Sequence, residues 1–152
     1  MSLRELVKGA EKNRIRHVRI LTSKQVRSIK KRGYDAEREL VQKLRRAGFE
    51  ALRVPVSAPS NEPFPDVFAV KGDAILAFEV KSQERYVYFK GDQVDKLMGF
   101  LNVHRFYPRR YAVLAAKFRY KDWNFMIVDK KGDYSIRANT GITFSKLVEA
   151  VS

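Results

Sequence analysis

Residues 65–81 read Pro65-Asp66-Val67-Phe68-Ala69-Val70-Lys71-Gly72-Asp73-Ala74-Ile75-Leu76-Ala77-Phe78-Glu79-Val80-Lys81. Two short apolar runs flank Gly72-Asp73, a pair suited to the centre of a tight hairpin turn. That turn sets Lys71 opposite Ala74, Val70 opposite Ile75, Phe68 opposite Ala77 and Asp66 opposite Glu79. Directly opposed strand residues carry Cβ atoms about 4.5–5.5 Å apart, so two like charges there need neutralising. A divalent cation does this: Mg²⁺ or Mn²⁺ takes hard oxygen ligands from one or two carboxylates and leaves room for water and phosphate. Lys81, two residues beyond Glu79, projects to the same strand face, while Phe78 and Val80 point to the other. The plainer reading makes Asp66 a turn residue and Glu79 and Lys81 an ordinary pair on a solvated strand. The runs Val67–Val70 and Ala74–Val80 favour the metal site, because they are apolar enough for central strands, where an unpaired acid is costly.

A chain of 152 residues with 45% apolar content is long enough for one domain with a real core. The expectation is one domain over residues 31–152 and a basic extension over 1–30. No apolar stretch approaches the roughly eighteen residues of a membrane span, and the amino terminus lacks a signal-peptide apolar region, which predicts a soluble, cytoplasmic protein. The lack of cysteine excludes disulfides and thiolate-held zinc or iron-sulfur clusters. His17 and His104 are too few and too far apart to suggest a histidine-based metal site.

The net charge of +14 indicates a polyanionic partner, with nucleic acid the first candidate. Residues 1–32 hold eleven Lys or Arg against Glu5 and Glu11, a net +9, which leaves +5 for the rest. Leu3, Leu6, Val7 and Ala10, then Ile15, Val18, Ile20 and Leu21, then Val26 and Ile29 punctuate this segment, so one or two short helices are expected in it. It reads as an arm that tracks phosphates, or as a solvated leader that only improves solubility.

From Tyr34 the helical period is clear: Ala36, Leu40, Val41, Leu44 and Ala47 form one stripe, stopped at Gly48. Glu37 lies inside that stripe, where an acid needs a partner, and the metal patch offers one; a helix-start acid favoured by the macrodipole is the alternative. Glu39 points outward, four residues before Lys43. A strand over Phe49–Val54 precedes the polar, proline-punctuated loop Pro55–Pro65, which is well placed to approach a substrate. Further strands are expected at Arg85–Phe89, Arg110–Phe118, Trp123–Val128 and Tyr134–Ala138. Helices are expected after an Asp92 cap, with Val94, Leu97, Met98 and Leu101 inward, and from Thr143 to Val151. Trp123, Phe125 and Ile127 belong either to the core or to a homodimer interface. The predicted class is α/β, a mixed sheet with helices on its faces.

In order and spacing, four motifs resemble the archaeal Holliday junction resolvases of the PD-(D/E)xK nuclease superfamily. They are Lys31-Arg32-Gly33-Tyr34-Asp35-Ala36-Glu37-Arg38, Arg53-Val54-Pro55-Val56-Ser57, Pro63-Phe64-Pro65-Asp66 and Phe78-Glu79-Val80-Lys81-Ser82. The resemblance covers about residues 30–152. It implies a restriction-endonuclease-like core with a mixed central β-sheet flanked by helices. The implied activity is that of a homodimeric, Mg²⁺-dependent endonuclease, with Mn²⁺ substituting, that cuts a four-way DNA junction by paired symmetric nicks. Carried over by position, Glu37, Asp66 and Glu79 hold the metal, Lys81 orients or activates the attacking water and Ser57 assists from the loop. Lys30, Lys31, Arg32, Arg38, Arg53 and Ser57 contact DNA, and Gln93 is a further carry-over. Recombination or branch-migration proteins are implied partners. The chain departs from the family pattern at Tyr34, usually serine, and at Ala58, usually glycine or serine; both bear on how the strand approaches the loop. Two alternatives stay open: a superfamily nuclease acting on nicked, flapped or duplex DNA, and a non-catalytic junction-binding protein. An RNA-binding role suggested by Tyr86, Tyr88 and Phe89 competes with packing of those rings on the sheet.

Overall fold

The computed structural model describes residues 20–55 and 61–152. The chain divides after Lys31 into two units, 1–31 and 32–152. Helix α1 spans Ser23–Arg46 and starts eleven residues before the apolar period announces it. Its start is a reciprocal capping box: the Thr22 N–H donates to Gln25 Oε1 at 2.8 Å, and the Gln25 N–H donates to Thr22 Oγ1 at 3.2 Å. The period begins later because only the second half of α1 buries a stripe, made of Ala36, Glu37, Leu40, Val41 and Leu44. Gly48, at φ 91°, ends the run in the left-handed conformation that glycine adopts freely.

The strands that follow are β1 (Glu50–Arg53), β2 (Val67–Lys71), β3 (Ala74–Gln83) and β4 (Tyr86–Phe89). Helix α2 (Gly91–Val103) leads to β5 (Arg109–Phe118), β6 (Trp123–Val128), β7 (Tyr134–Arg137) and helix α3 (Phe144–Ala150). The main sheet runs β1-β2-β3-β5-β6, with β3 and β5 parallel and the other pairs antiparallel; β4 and β7 form a separate antiparallel ribbon. Period-two alternation along β3 feeds two cores. Leu76 and Phe78 pack with Leu40 and Leu44 of α1, while Ile75 and Ala77 pack with Val94 and Leu97 of α2. Strands covered on both faces read as unbroken apolar runs, as Ala74–Phe78 and Ala112–Ala116 do.

The hairpin register stands as the turn predicts from Lys71 opposite Ala74 to Val67 opposite Phe78, and there it stops. Asp66 is not paired with Glu79 in the ladder. Its N–H donates to the Phe78 carbonyl and its own carbonyl accepts from Val54 N–H, both at 2.9 Å, so it joins β1 to β3 where β2 begins. Its carboxylate then reaches the Val80 N–H at 2.8 Å. The cap of α2 is Lys90 and not Asp92, which lies in the first turn; Gln93 supplies the side-chain acceptor, taking the Lys90 N–H at 3.0 Å. Glu39 does not pair with Lys43. Trp123 Nε1 donates to Glu39 at 3.3 Å and Lys117 stands 3.6 Å away, because β5 and β6 run beside this side of the helix. Trp123 and Phe125 are buried in the core, as the simpler of the two readings has it, whereas Ile127 is 37% exposed. Of the aromatic trio on β4, only Phe89 is buried, and Tyr86 and Tyr88 face solvent.

Candidate active site

The acidic patch forms where β2 begins, where β3 runs on beyond the hairpin ladder and where α2 starts. Asp66 is fixed by backbone on three sides and aims one oxygen at Val80 N–H. Burial pushes its carboxyl above the ordinary range, against the pull of that N–H and of the Arg53, Lys81 and Lys96 charges. Glu79 accepts a hydrogen bond from Gln93 Nε2 at 3.2 Å. Burial first, and the Asp66 charge second, push Glu79 up to about 8. Two carboxylates in one half-buried patch resist being ionised together, which is the condition a cation relieves.

Lys81 donates to the Tyr88 carbonyl at 2.5 Å and lies 5.3 Å from the centre of the Phe89 ring. Burial lowers its pKa, offset in part by Glu79 and Asp66. The β4 backbone therefore anchors the lysine beside the acids. Glu37 reaches this region from α1, and its partner is Arg53 of β1, whose Nε donates to Oε2 at 2.5 Å. Burial raises the Glu37 pKa while the Arg53 hydrogen bond lowers it. The Arg53 guanidinium also lies 4.6 Å from the centre of the Tyr34 ring, a cation–π contact that uses the residue departing from the family pattern. Among the described residues, no three His, Asp or Glu side chains stand together as a ready metal cluster.

The structure thus brings Asp66, Glu79 and Lys81 together and gives Glu37 a different immediate partner. Lys30, Lys31 and Arg32 are exposed along α1, and Arg38 is exposed and 3.5 Å from Asp35. Ser57 lies outside the described residues. Lys96 was not singled out from sequence, yet its charge acts on both Asp66 and Glu79. The signal for it was its position on α2, one turn beyond Gln93, whose amide touches Glu79.

A mixed sheet that gathers an acidic pair and an anchored lysine at its rim, under a helix that steadies one acid, defines a nuclease-like α/β class. Comparison with known proteins narrows it. The family model described as archaeal Holliday junction resolvase (Hjc) matches residues 28–152, and the chain belongs to that family. It is 38% identical over 117 residues to the crossover junction endodeoxyribonuclease Hje of Saccharolobus solfataricus, covering 76% of this chain and 85% of the relative. It is 37% identical over 101 residues to the Hjc protein of Archaeoglobus fulgidus, covering 66% of this chain and 71% of that one. The solved structure of Archaeoglobus fulgidus Hjc, a Holliday junction resolvase, superposes with a TM-score of 0.63 at 27% identity, covering 76% of this chain and 99% of that one.

Proposed function

We propose that this protein is a Mg²⁺-dependent endonuclease that resolves four-way DNA junctions by paired nicks and works as a homodimer. The convergence of Asp66, Glu79 and Lys81 on one patch carries the reading. Asp66 and Glu79 are hard oxygen donors whose mutual repulsion a divalent cation relieves, so the pair fits Mg²⁺ or Mn²⁺. Glu37 gives its Oε2 to Arg53 and would join them through its other oxygen, and a DNA phosphate is the competing ligand that draws a guanidinium away and releases the second. When bound, the cation neutralises charge on the scissile phosphate and raises the acidity of attacking water.

The chain's own residues supply the rest. Gln93 holds one Glu79 oxygen and thereby orients the carboxylate. Lys81, pinned by the Tyr88 carbonyl, places a positive donor where negative charge develops. Arg38, Arg32, Lys31 and Lys30 lie along α1 as phosphate contacts, which position the duplex without reading its sequence. A groove beside the edge strand β1, lined by Phe49, Ala51 and Leu52, by Phe68 and Val70 of β2 and by the charged Arg45 and Glu50, supports dimerisation, since Leu52 is 54% exposed there.

The test is an immobile four-way junction beside a linear duplex of matched sequence, each in Mg²⁺ and in EDTA, with cuts mapped to the nucleotide. Paired Mg²⁺-dependent nicks on opposed strands of the junction, with the duplex spared, are expected. Equal cutting of both substrates replaces the reading with a general nuclease, and tight binding without cuts replaces it with a binding protein.

A further inference from the structure

The turn between β5 and β6 carries a residue that the fold does not explain. The Lys121 N–H donates to the Phe118 carbonyl at 3.0 Å, closing the four-residue turn Phe118-Arg119-Tyr120-Lys121. Its third residue, Tyr120, has φ 61° and is the only described residue other than glycine with positive φ. A turn with positive φ at that position alone has the sign pattern of type II, which favours glycine or asparagine there. A bulky side chain held left-handed costs free energy that is normally returned by packing. Tyr120 is 91% exposed, and its contact with the adjacent Arg119 side chain lies at the surface and buries little that would return it.

The turn is nevertheless firmly held. Arg119 N–H donates to the Gln83 carbonyl at the end of β3, and Lys117 Nζ donates to the Lys121 carbonyl at 2.9 Å. The Arg119 guanidinium pairs with Glu84 at 3.2 Å and lies 5.1 Å from the centre of the Tyr120 ring. An exposed aromatic ring beside the Arg119 guanidinium, with Lys121 next along the turn, is chemistry that takes a nucleobase and a neighbouring phosphate.

Its place in the sheet matches. Because β3 and β5 are parallel, Lys81 lies beside Ala116 and Gln83 beside Phe118, so the turn leaves the sheet at the end that holds Glu79 and Lys81. Tyr120 lies four residue steps beyond Ala116, a span of at most about 13 Å, or roughly four nucleotide steps.

We infer that Tyr120 is a base-stacking residue that takes an unpaired or unstacked base at the DNA branch point, within a few nucleotides of the bond that is cut. This rests on the junction-nuclease reading and adds the site by which a branch is told from a continuous duplex, in which every base is already stacked.

The experiment uses the full chain with four-way junctions carrying 2-aminopurine at single positions, either next to the branch point or mid-arm. Binding is followed in Ca²⁺, and cleavage in Mg²⁺. Wild type and Tyr120→Phe are expected to change the fluorescence of the branch-point probe and not of the mid-arm probe. Tyr120→Gly, which suits the left-handed turn and so keeps the fold, is expected to lose that change and to bind the junction roughly tenfold more weakly. Its affinity for linear duplex should stay within about twofold of wild type. A Tyr120→Gly protein with the wild-type fluorescence change and junction preference overturns the inference alone. A wild-type protein that neither prefers nor cuts the junction overturns the underlying functional reading, and this inference with it.

Discussion

Asp66 and Glu79 have unequal supports: backbone surrounds the first, and one side-chain amide steadies the second. Replacing either by alanine is expected to abolish cleavage while junction affinity is kept or tightened, since a negative charge facing phosphate is removed; nicking and gel-shift titrations on the same preparations check this. Gln93→Ala should lower the rate by about ten- to hundredfold, because the carboxylate loses its orientation and not its chemistry. The raised Glu79 pKa fixes a pH dependence. Between the ordinary glutamate value of 4.5 and about 8, the folded protein holds a proton on Glu79 that the unfolded chain has released. The folded state then binds more protons, so stability from this group is full below the lower value and is lost as pH rises through the window. Metal-free protein should therefore melt at progressively lower temperature from pH 5 to 8, and Glu79→Gln should flatten that slope. Cleavage has the opposite sign: with Mg²⁺ present it should climb toward pH 8 as Glu79 becomes free to act as a ligand.

Among the elements, α2 both holds Glu79 through Gln93 and packs on the segment that delivers Asp66. Gly99 on this helix packs so closely on Pro63 that an added Cβ would stand 2.9 Å from the proline Cβ. Gly99→Ala is an over-packing change, costing about 1–3 kcal/mol. Its strain falls on the segment three residues before Asp66, so cleavage should fall by a larger factor than the stability loss explains; melting temperature and single-turnover rate measured together separate the two. The start of α1 shows how two expected pieces, a short helix in the basic segment and the stripe from Tyr34, are one element. Thr22 and Gln25 carry a capping box in plain sequence, but the turns after them are exposed and have no apolar stripe to draw attention to it. The cap of α2 departs from expectation for a related reason: Asp92 is the usual capping type, whereas the acceptor for Lys90 N–H comes from Gln93 reaching back.

At the scale of the whole molecule, charge and chemistry occupy different lengths of chain. The first 32 residues hold a net +9, while every residue of the acidic patch lies beyond them. Removing residues 1–19 is expected to weaken junction binding and to flatten its salt dependence, by about 0.9 in the logarithmic slope per lost phosphate contact, with the cut positions unchanged. Affinity measured across a salt series, with cleavage mapping alongside, tests this. The sequence by itself determined what depends on neighbours along the chain. The Gly72-Asp73 turn fixed the hairpin register, period two placed Glu79 and Lys81 on one face, and alternating strand and helix patterns defined a mixed α/β sheet. Such features are local because a strand's alternation and a turn's geometry are set within a few residues. Only the tertiary structure decided the partners: Arg53 for Glu37, Trp123 and Lys117 for Glu39, Gln93 and Lys96 for the acid pair, and an exposed left-handed Tyr120 beside the same sheet end. Those pairings join residues up to 84 positions apart, and which side chains meet follows from the order in which strands lie side by side, a property of the packed sheet that no single stretch of chain contains.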